Sequence, residues 1–139
     1  MPIARDDLVR HLDALLDAGR FAAIDGSRNG LQVEGGVRIS RLATAADASL
    51  AAIRAAIAAR ADALLVHHGL LWGRADLRLT GRLAARVRAL FGADCSLLAY
   101  HLPLDAHPTW GNNAWLAERL GLTGLTPFGD ARGQSIGCI

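Results

Sequence analysis

The residues best placed to do chemistry are the adjacent pair His67-His68, followed by Gly69, and the run His101-Leu102-Pro103-Leu104-Asp105-Ala106-His107-Pro108. Neutral imidazole is a good ligand for Zn, Mn, Fe, Ni or Co, and Asp105 adds the hard oxygen that hydrolytic metal sites usually contain. Neighbouring side chains on a strand point to opposite faces. One site can therefore use both His67 and His68 only if the chain turns there, which Gly69 permits, or if two adjacent metals share the pair. The competing reading is a pair of half-buried histidines bonded to backbone. His101 reads equally as a ligand, as a hydrogen-bond partner of a ligand, as a general acid or base, or as a satisfied structural histidine. Asp47 either orients a ligand histidine or caps a helix. His107, before Pro108, reads as a turn residue, and His11 carries no signal.

These residues need a scaffold that brings them together. Leu8, Leu12, Leu15 and Leu16 form one apolar stripe, which predicts a helix over 6–19 that Gly19 ends. The stretch Asp25-Gly26-Ser27-Arg28-Asn29-Gly30 predicts a loop leading into a short strand at Leu31-Gln32-Val33. A strand is expected over 39–45, then a helix capped by Asp47 or Ser49 with Leu50, Ile53 and Ile57 as its core stripe. Ala63-Leu64-Leu65-Val66 is the unbroken apolar run of a strand buried on both faces. Leu83, Val87, Leu90 and Phe91 mark a helix from Thr80 to Gly92, and Cys95 to Tyr100 a further strand. The prolines of 101–108 argue for an ordered loop there, and Asn112 or Asn113 for the cap of a last helix ended by Gly121. The tail beyond is rich in Gly and Thr. Strands alternating with helices predict an α/β fold, with a predominantly parallel or mixed sheet flanked by helices, and place the polar residues at the carboxyl ends of its strands.

Composition excludes several functions. With 139 residues, 52% of them hydrophobic, the chain can bury a core without disulfide staples. The net charge is only +2, all the cations are arginine, and acids are interspersed, so a nucleic-acid partner is not expected. Arg74, Arg78, Arg82 and Arg86 recur every four residues, as a solvated face or as a patch for an anionic substrate. The start Met1-Pro2-Ile3-Ala4-Arg5-Asp6-Asp7 is not that of a secretion signal, and no apolar run is long enough for a bilayer, so a cytoplasmic protein without membrane attachment is expected. Cys95 and Cys138 read as reduced, buried small residues. There is no phosphate loop, serine elbow or nucleophilic-cysteine signature.

Four segments together resemble the NGG-one interacting factor three-like family, whose bacterial members are often labelled GTP cyclohydrolase I type 2 homologues. They are Asn29-Gly30-Leu31-Gln32-Val33-Glu34-Gly35, the segment Ala61 to Trp72, the segment Tyr100 to Pro108, and Gly111-Asn112-Asn113-Ala114-Trp115-Leu116-Ala117. The resemblance implies an α/β fold of two related halves, assembled as a toroidal homohexamer with two divalent metal ions per subunit. It implies His67, His68 and Asp105 as metal ligands and His101 beside them, in a catalytic role such as proton transfer. A further His and Glu complete the family's site in a His-x-x-x-Glu segment near its C-terminus, beyond the counterpart of Ile139. The expectation is thus a single α/β domain over 1–139 that corresponds to the family's first half, with the second half absent and at most one weakly held divalent ion bound. A metal-dependent hydrolase of unknown small-molecule substrate is the implied activity, and a non-catalytic oligomeric ring that binds metal or a partner is the alternative.

Overall fold

The computed structural model describes residues 1–73 and 77–139. A short strand β1 (Ile3–Ala4) leads directly into helix α1 (Arg5–Leu15) and a single turn α2 (Ala18–Phe21). The elements that follow are β2 (Gly30–Val33), β3 (Arg38–Ile39), β4 (Leu42–Asp47), α3 (Leu50–Ala58) and β5 (Ala63–His68). Then come α4 (Gly81–Gly92), β6 (Ser96–Ala99), α5 (Leu102–Ala106), α6 (Asn112–Arg119), β7 (Pro127–Ala131) and β8 (Gln134–Cys138).

The central sheet has four strands in the order β2-β6-β5-β4, so the α/β class and mixed sheet read from the sequence hold. Strands β4, β5 and β6 are parallel, and β2 closes the edge antiparallel to β6. The period-2 alternation of strand side chains sorts the core into two layers. Leu64, Val66, Leu97 and Ala99 pack with Ile53 and Ala56 of α3 and Leu90 of α4. Ala63, Leu98 and Tyr100 pack with Leu8, Leu12 and Leu16 on the other face. Both faces are thus covered, which explains the unbroken apolar runs of β5 and β6. Tyr100 is fully buried, and its hydroxyl donates to Oδ1 of Asp13 at 2.7 Å, tying α1 to the end of β6. Burial and this bond push the phenol well above its usual range.

Several local expectations give way to specific interactions. The first helix stops at Leu15 because Asp17 turns left-handed at φ 49°, and Gly19 sits inside α2 instead of ending α1. The strand expected over 39–45 is split. The backbone N–H groups of Ser40 and Arg41 both donate to Oδ2 of Asp62, at 2.7 and 2.8 Å, which leaves β3 paired with β1 and β4 in the main sheet. The proline-containing run is helical over α5, since Pro103 stands in the first turn, where a missing N–H costs nothing. Gly111, not an asparagine, is the N-cap of α6, whereas Gly121 does follow that helix with φ 69°. The tail forms the antiparallel hairpin β7–β8, turned by Arg132 and Gly133, both at positive φ. Cys95 is buried and its thiol is pushed up by burial, while Cys138 is only half-buried.

Replacing Tyr100 by Phe removes the bond to Asp13 and nothing else. The expected loss is about 1–2 kcal/mol in urea unfolding with an unchanged m-value; a variant as stable as the parent would show that the Tyr100–Asp13 bond adds nothing to the hold on α1.

Candidate metal centre

The parallel strands β4, β5 and β6 end on one edge of the sheet, and each delivers a polar group there. Register pairs Asp47 of β4 with His68 of β5, and Val66 of β5 with Ala99 of β6. His67 and His68 therefore lie level with Tyr100 and His101, which follow β6. The imidazoles of His67, His68 and His101 form a cluster in which one ligand atom from each lies within 4.8 Å of the others. Their ring centroids are 4.3 Å apart for His67 and His68, 4.9 Å for His67 and His101, and 5.3 Å for His68 and His101. Adjacent residues of one strand thus share a site, because β5 ends at His68 and the chain turns at Gly69.

The turn is held tightly. Oε1 of Gln32, from β2, accepts from the backbone N–H of Leu70 at 2.6 Å and of Leu71 at 3.1 Å. Nε1 of Trp72 donates to the Gly69 carbonyl at 3.0 Å, and the indole stands edge-on to His101 with centroids 5.1 Å apart. A Cβ at Gly69 would fall 2.3 Å from Oε1 of Gln32 and 2.6 Å from Cβ of Ala99. Glycine is required there for space, beyond the conformational freedom read from the sequence.

Nδ1 of His67 lies 3.2 Å from the Tyr100 carbonyl, which can only accept, so Nδ1 carries the hydrogen and Nε2 the lone pair. Oδ1 of Asp105, carried by α5, is 3.6 Å from that Nε2 and accepts from Nδ2 of Asn112 at 2.9 Å. Burial lowers the pKa of His67, opposed by the Asp105 carboxylate and the Tyr100 carbonyl and assisted by His68 and His101. A neutral imidazole at neutral pH is the form that binds metal.

Not all the sequence candidates converge. Asp47 is exposed and accepts from the Ser49 backbone N–H at 2.9 Å, while Ser49 is the side-chain cap of α3. The Asp47 carboxyl lies below its usual range, first through hydrogen bonds from Ser49, with Arg86 and His68 contributing at longer range. His107 accepts from the backbone of Thr109 and Trp110, as a turn residue does. Of the arginine row, Arg82 and Arg86 lie on α4, Arg78 precedes it, and Arg74 is outside the described residues. Sequence reasoning missed Asp25, treated as a turn residue. Its side chain is wholly buried and bonds His101, the backbone of Ser27 and Leu102, and Asn29. Burial opposes its ionisation, but those four donors outweigh it and hold the carboxyl below the usual range. The Asp25-Gly26-Ser27 turn was a visible signal that an aspartate was fixed there, although its partner across the sequence was not.

Two outcomes follow. Because the unfolded chain protonates His67 before the folded one does, stability is full above about pH 6.5 and falls as the pH drops below it. The parent should lose more stability between pH 8 and 5.5 than His67→Gln, measured by urea unfolding, and parallel losses would contradict the assignment. Gly69→Ala should displace the Gln32 clamp, destabilise the fold by about 1–3 kcal/mol and shift Trp72 fluorescence; an unchanged midpoint and spectrum would show that the turn has slack.

The description Duf34/NIF3 (NGG1p interacting factor 3) matches residues 3–139. A GTP cyclohydrolase 1 type 2 homolog of Deinococcus radiodurans is 51% identical over 135 residues, covering 97% of this chain and 50% of the relative. One from Pyrococcus horikoshii is 44% identical over 135 residues, covering 97% of this chain and 53% of its own. Among solved structures, TTHA1606 from Thermus thermophilus superposes with a TM-score of 0.86 at 46% identity, covering 91% of this chain and 51% of that one. Reduced HcgD from Methanocaldococcus jannaschii gives 0.79 at 28% identity, covering 94% and 52%. The chain therefore spans about half the length of the relatives it matches. By the extent and identity of these matches, the chain belongs to the DUF34/NIF3 family.

Proposed function

We propose that the chain carries the metal-binding face of a dinuclear, divalent-metal-dependent hydrolase of the GTP cyclohydrolase 1 type 2 homologue kind, with His67, His68 and Asp105 as ligands and His101 assisting proton transfer. The observation that supports this reading is the convergence of three imidazoles within 4.8 Å, with the Asp105 carboxylate beside His67. Nitrogen donors joined by a carboxylate suit borderline divalent ions such as Zn, Fe, Mn, Ni or Co, so the residues present fit the group. Ions in such a site supply Lewis acidity and bring the ionisation of water toward pH ~7.

The chain's own residues supply the rest. The Tyr100 carbonyl keeps Nε2 of His67 free, and Asn112 steadies Asp105. His68 is the exposed member of the cluster. We assign the further ligands of a second ion to the part of the relatives that this chain does not span, and a cytoplasmic, ring-shaped homohexamer to the whole protein. Among the described residues, no helix is long and apolar enough to cross a membrane.

A second reading, a non-catalytic oligomeric ring that only holds metal or a partner, is favoured by the apolar residues left exposed at one end of the fold. Trp115 and Leu116 on α6 and Leu120 just after it are each more than half exposed, as is Phe128 on β7. Metal-dependent turnover of phosphoesters, nucleotides or cyclic amides would favour the hydrolase, and its absence throughout would favour the ring.

Elemental analysis of purified protein tests the site itself. His67→Ala and Asp105→Ala should each lower bound metal while far-UV circular dichroism stays unchanged, since ligands at strand ends add little to the core. Stoichiometric metal in both variants would remove the assignment. His101→Ala should weaken activity or affinity by roughly 10- to 100-fold, and complete loss of metal would place His101 among the ligands.

A further inference from the structure

The most completely satisfied polar group near the cluster is a carboxylate that the metal reading does not use. Asp25 lies in the loop before β2, and its side chain has no solvent exposure. Oδ1 accepts from the Ser27 backbone N–H at 2.8 Å and lies 2.9 Å from Nδ1 of His101. Oδ2 accepts from Nδ2 of Asn29 at 2.8 Å and from the Leu102 backbone N–H at 2.9 Å. Oδ1 of Asn29 in turn accepts from the His101 backbone N–H at 2.8 Å. His101 is thereby gripped at its ring, at its own amide and at the amide that follows.

We infer that Asp25 is a positioning residue that fixes His101 as its Nδ1–H tautomer, so that Nε2 is the lone-pair nitrogen available to an ion shared with His67 and His68. The chemistry leaves little choice. An ionised carboxylate has no hydrogen to give, so the hydrogen between Asp25 and His101 belongs to Nδ1. In neutral imidazole the other nitrogen is then an acceptor. His67 reaches the same state by another route, through the Tyr100 carbonyl. Two rings from different strands are thus set to present the same nitrogen, one by a neutral acceptor and one by a charged acceptor. The loop 25–30 gains a purpose in the site that neither its position before β2 nor its turn-forming composition announces.

The inference rests on the proposed metal site only for its purpose, and its test separates the two. In metal-free protein labelled with 15N-histidine, at about pH 8 where imidazole is mostly neutral, long-range 15N–1H correlations should show His101 with a protonated Nδ1 and an unprotonated Nε2. The signal is identified by its loss in His101→Gln. A protonated Nε2, or a rapid average of the two tautomers, overturns the inference. In Asp25→Ala, no acceptor remains opposite Nδ1, so the tautomer should average or switch and the affinity for Zn2+ alone should drop roughly 10- to 100-fold in calorimetry. An unchanged tautomer and affinity in that variant, with native circular dichroism, also overturns it. If the variant does not fold, the tautomer of the parent protein decides. A parent protein that shows the expected tautomer but takes up no Zn2+, Mn2+, Fe2+, Co2+ or Ni2+ overturns the metal reading and leaves Asp25 positioning His101.

Discussion

The parallel pairing of β5 with β6 is the interaction on which the rest of the site depends. It sets Val66 opposite Ala99 and lets the Tyr100 N–H donate to the Val66 carbonyl at 3.0 Å. The cluster forms just beyond this pair: His67 follows Val66 within β5, and His101 stands two residues after Ala99, past the end of β6. A slip of one residue would turn each set of side chains to the opposite face, and a slip of two would separate the histidines by more than the span of an imidazole. The register is protected by the apolar residues on both faces, since any slip would also unpack Leu64, Leu97 and Leu98. Core packing and site geometry are therefore the same constraint seen from two ends of the sheet.

Around that register, the loops serve as braces. Gln32 uses one carbonyl oxygen to hold two successive amides after Gly69, and Asp25 uses its two oxygens to hold four donors across 77 residues of sequence separation at most. Both act on the backbone or the ring from outside the cluster. Such bonds to buried, well-defined partners limit the freedom of the imidazoles without occupying the faces that they present.

The elements that the sequence revealed are those governed by periodicity. The stripes of α1, α3 and α4 and the solid apolar runs of β5 and β6 each follow from one local pattern, and the histidines were legible because strand ends are where an α/β sheet collects its polar groups. What stayed hidden was set by partners far away along the chain. Asp62 breaks the strand at Ser40 and Arg41, yet it stands more than twenty positions from either. Pro103 was read as excluding a helix, although its place in the first turn makes it compatible with one. The asparagines of α6 looked like caps, but Asn112 serves Asp105 and Asn113 bridges the carbonyls of Asp105 and Ile136. In each case the residue type was informative and the identity of its partner was not.

The junction between α5 and α6 has a mechanical meaning. A Cβ at Gly111 would fall 2.3 Å from the carbonyl oxygen of His107, 2.6 Å from that of Leu104 and 3.0 Å from that of Asp105. Backbone lies on backbone there, with no compliant side chain between. Helix α6, which bears exposed Trp115 and Leu116, is seated at Gly111 directly on the backbone of the short helix that carries the Asp105 carboxylate. Any side chain at position 111 would have to part the two helices, and Asn112, which donates to the Asp105 carboxylate, would be carried away with α6.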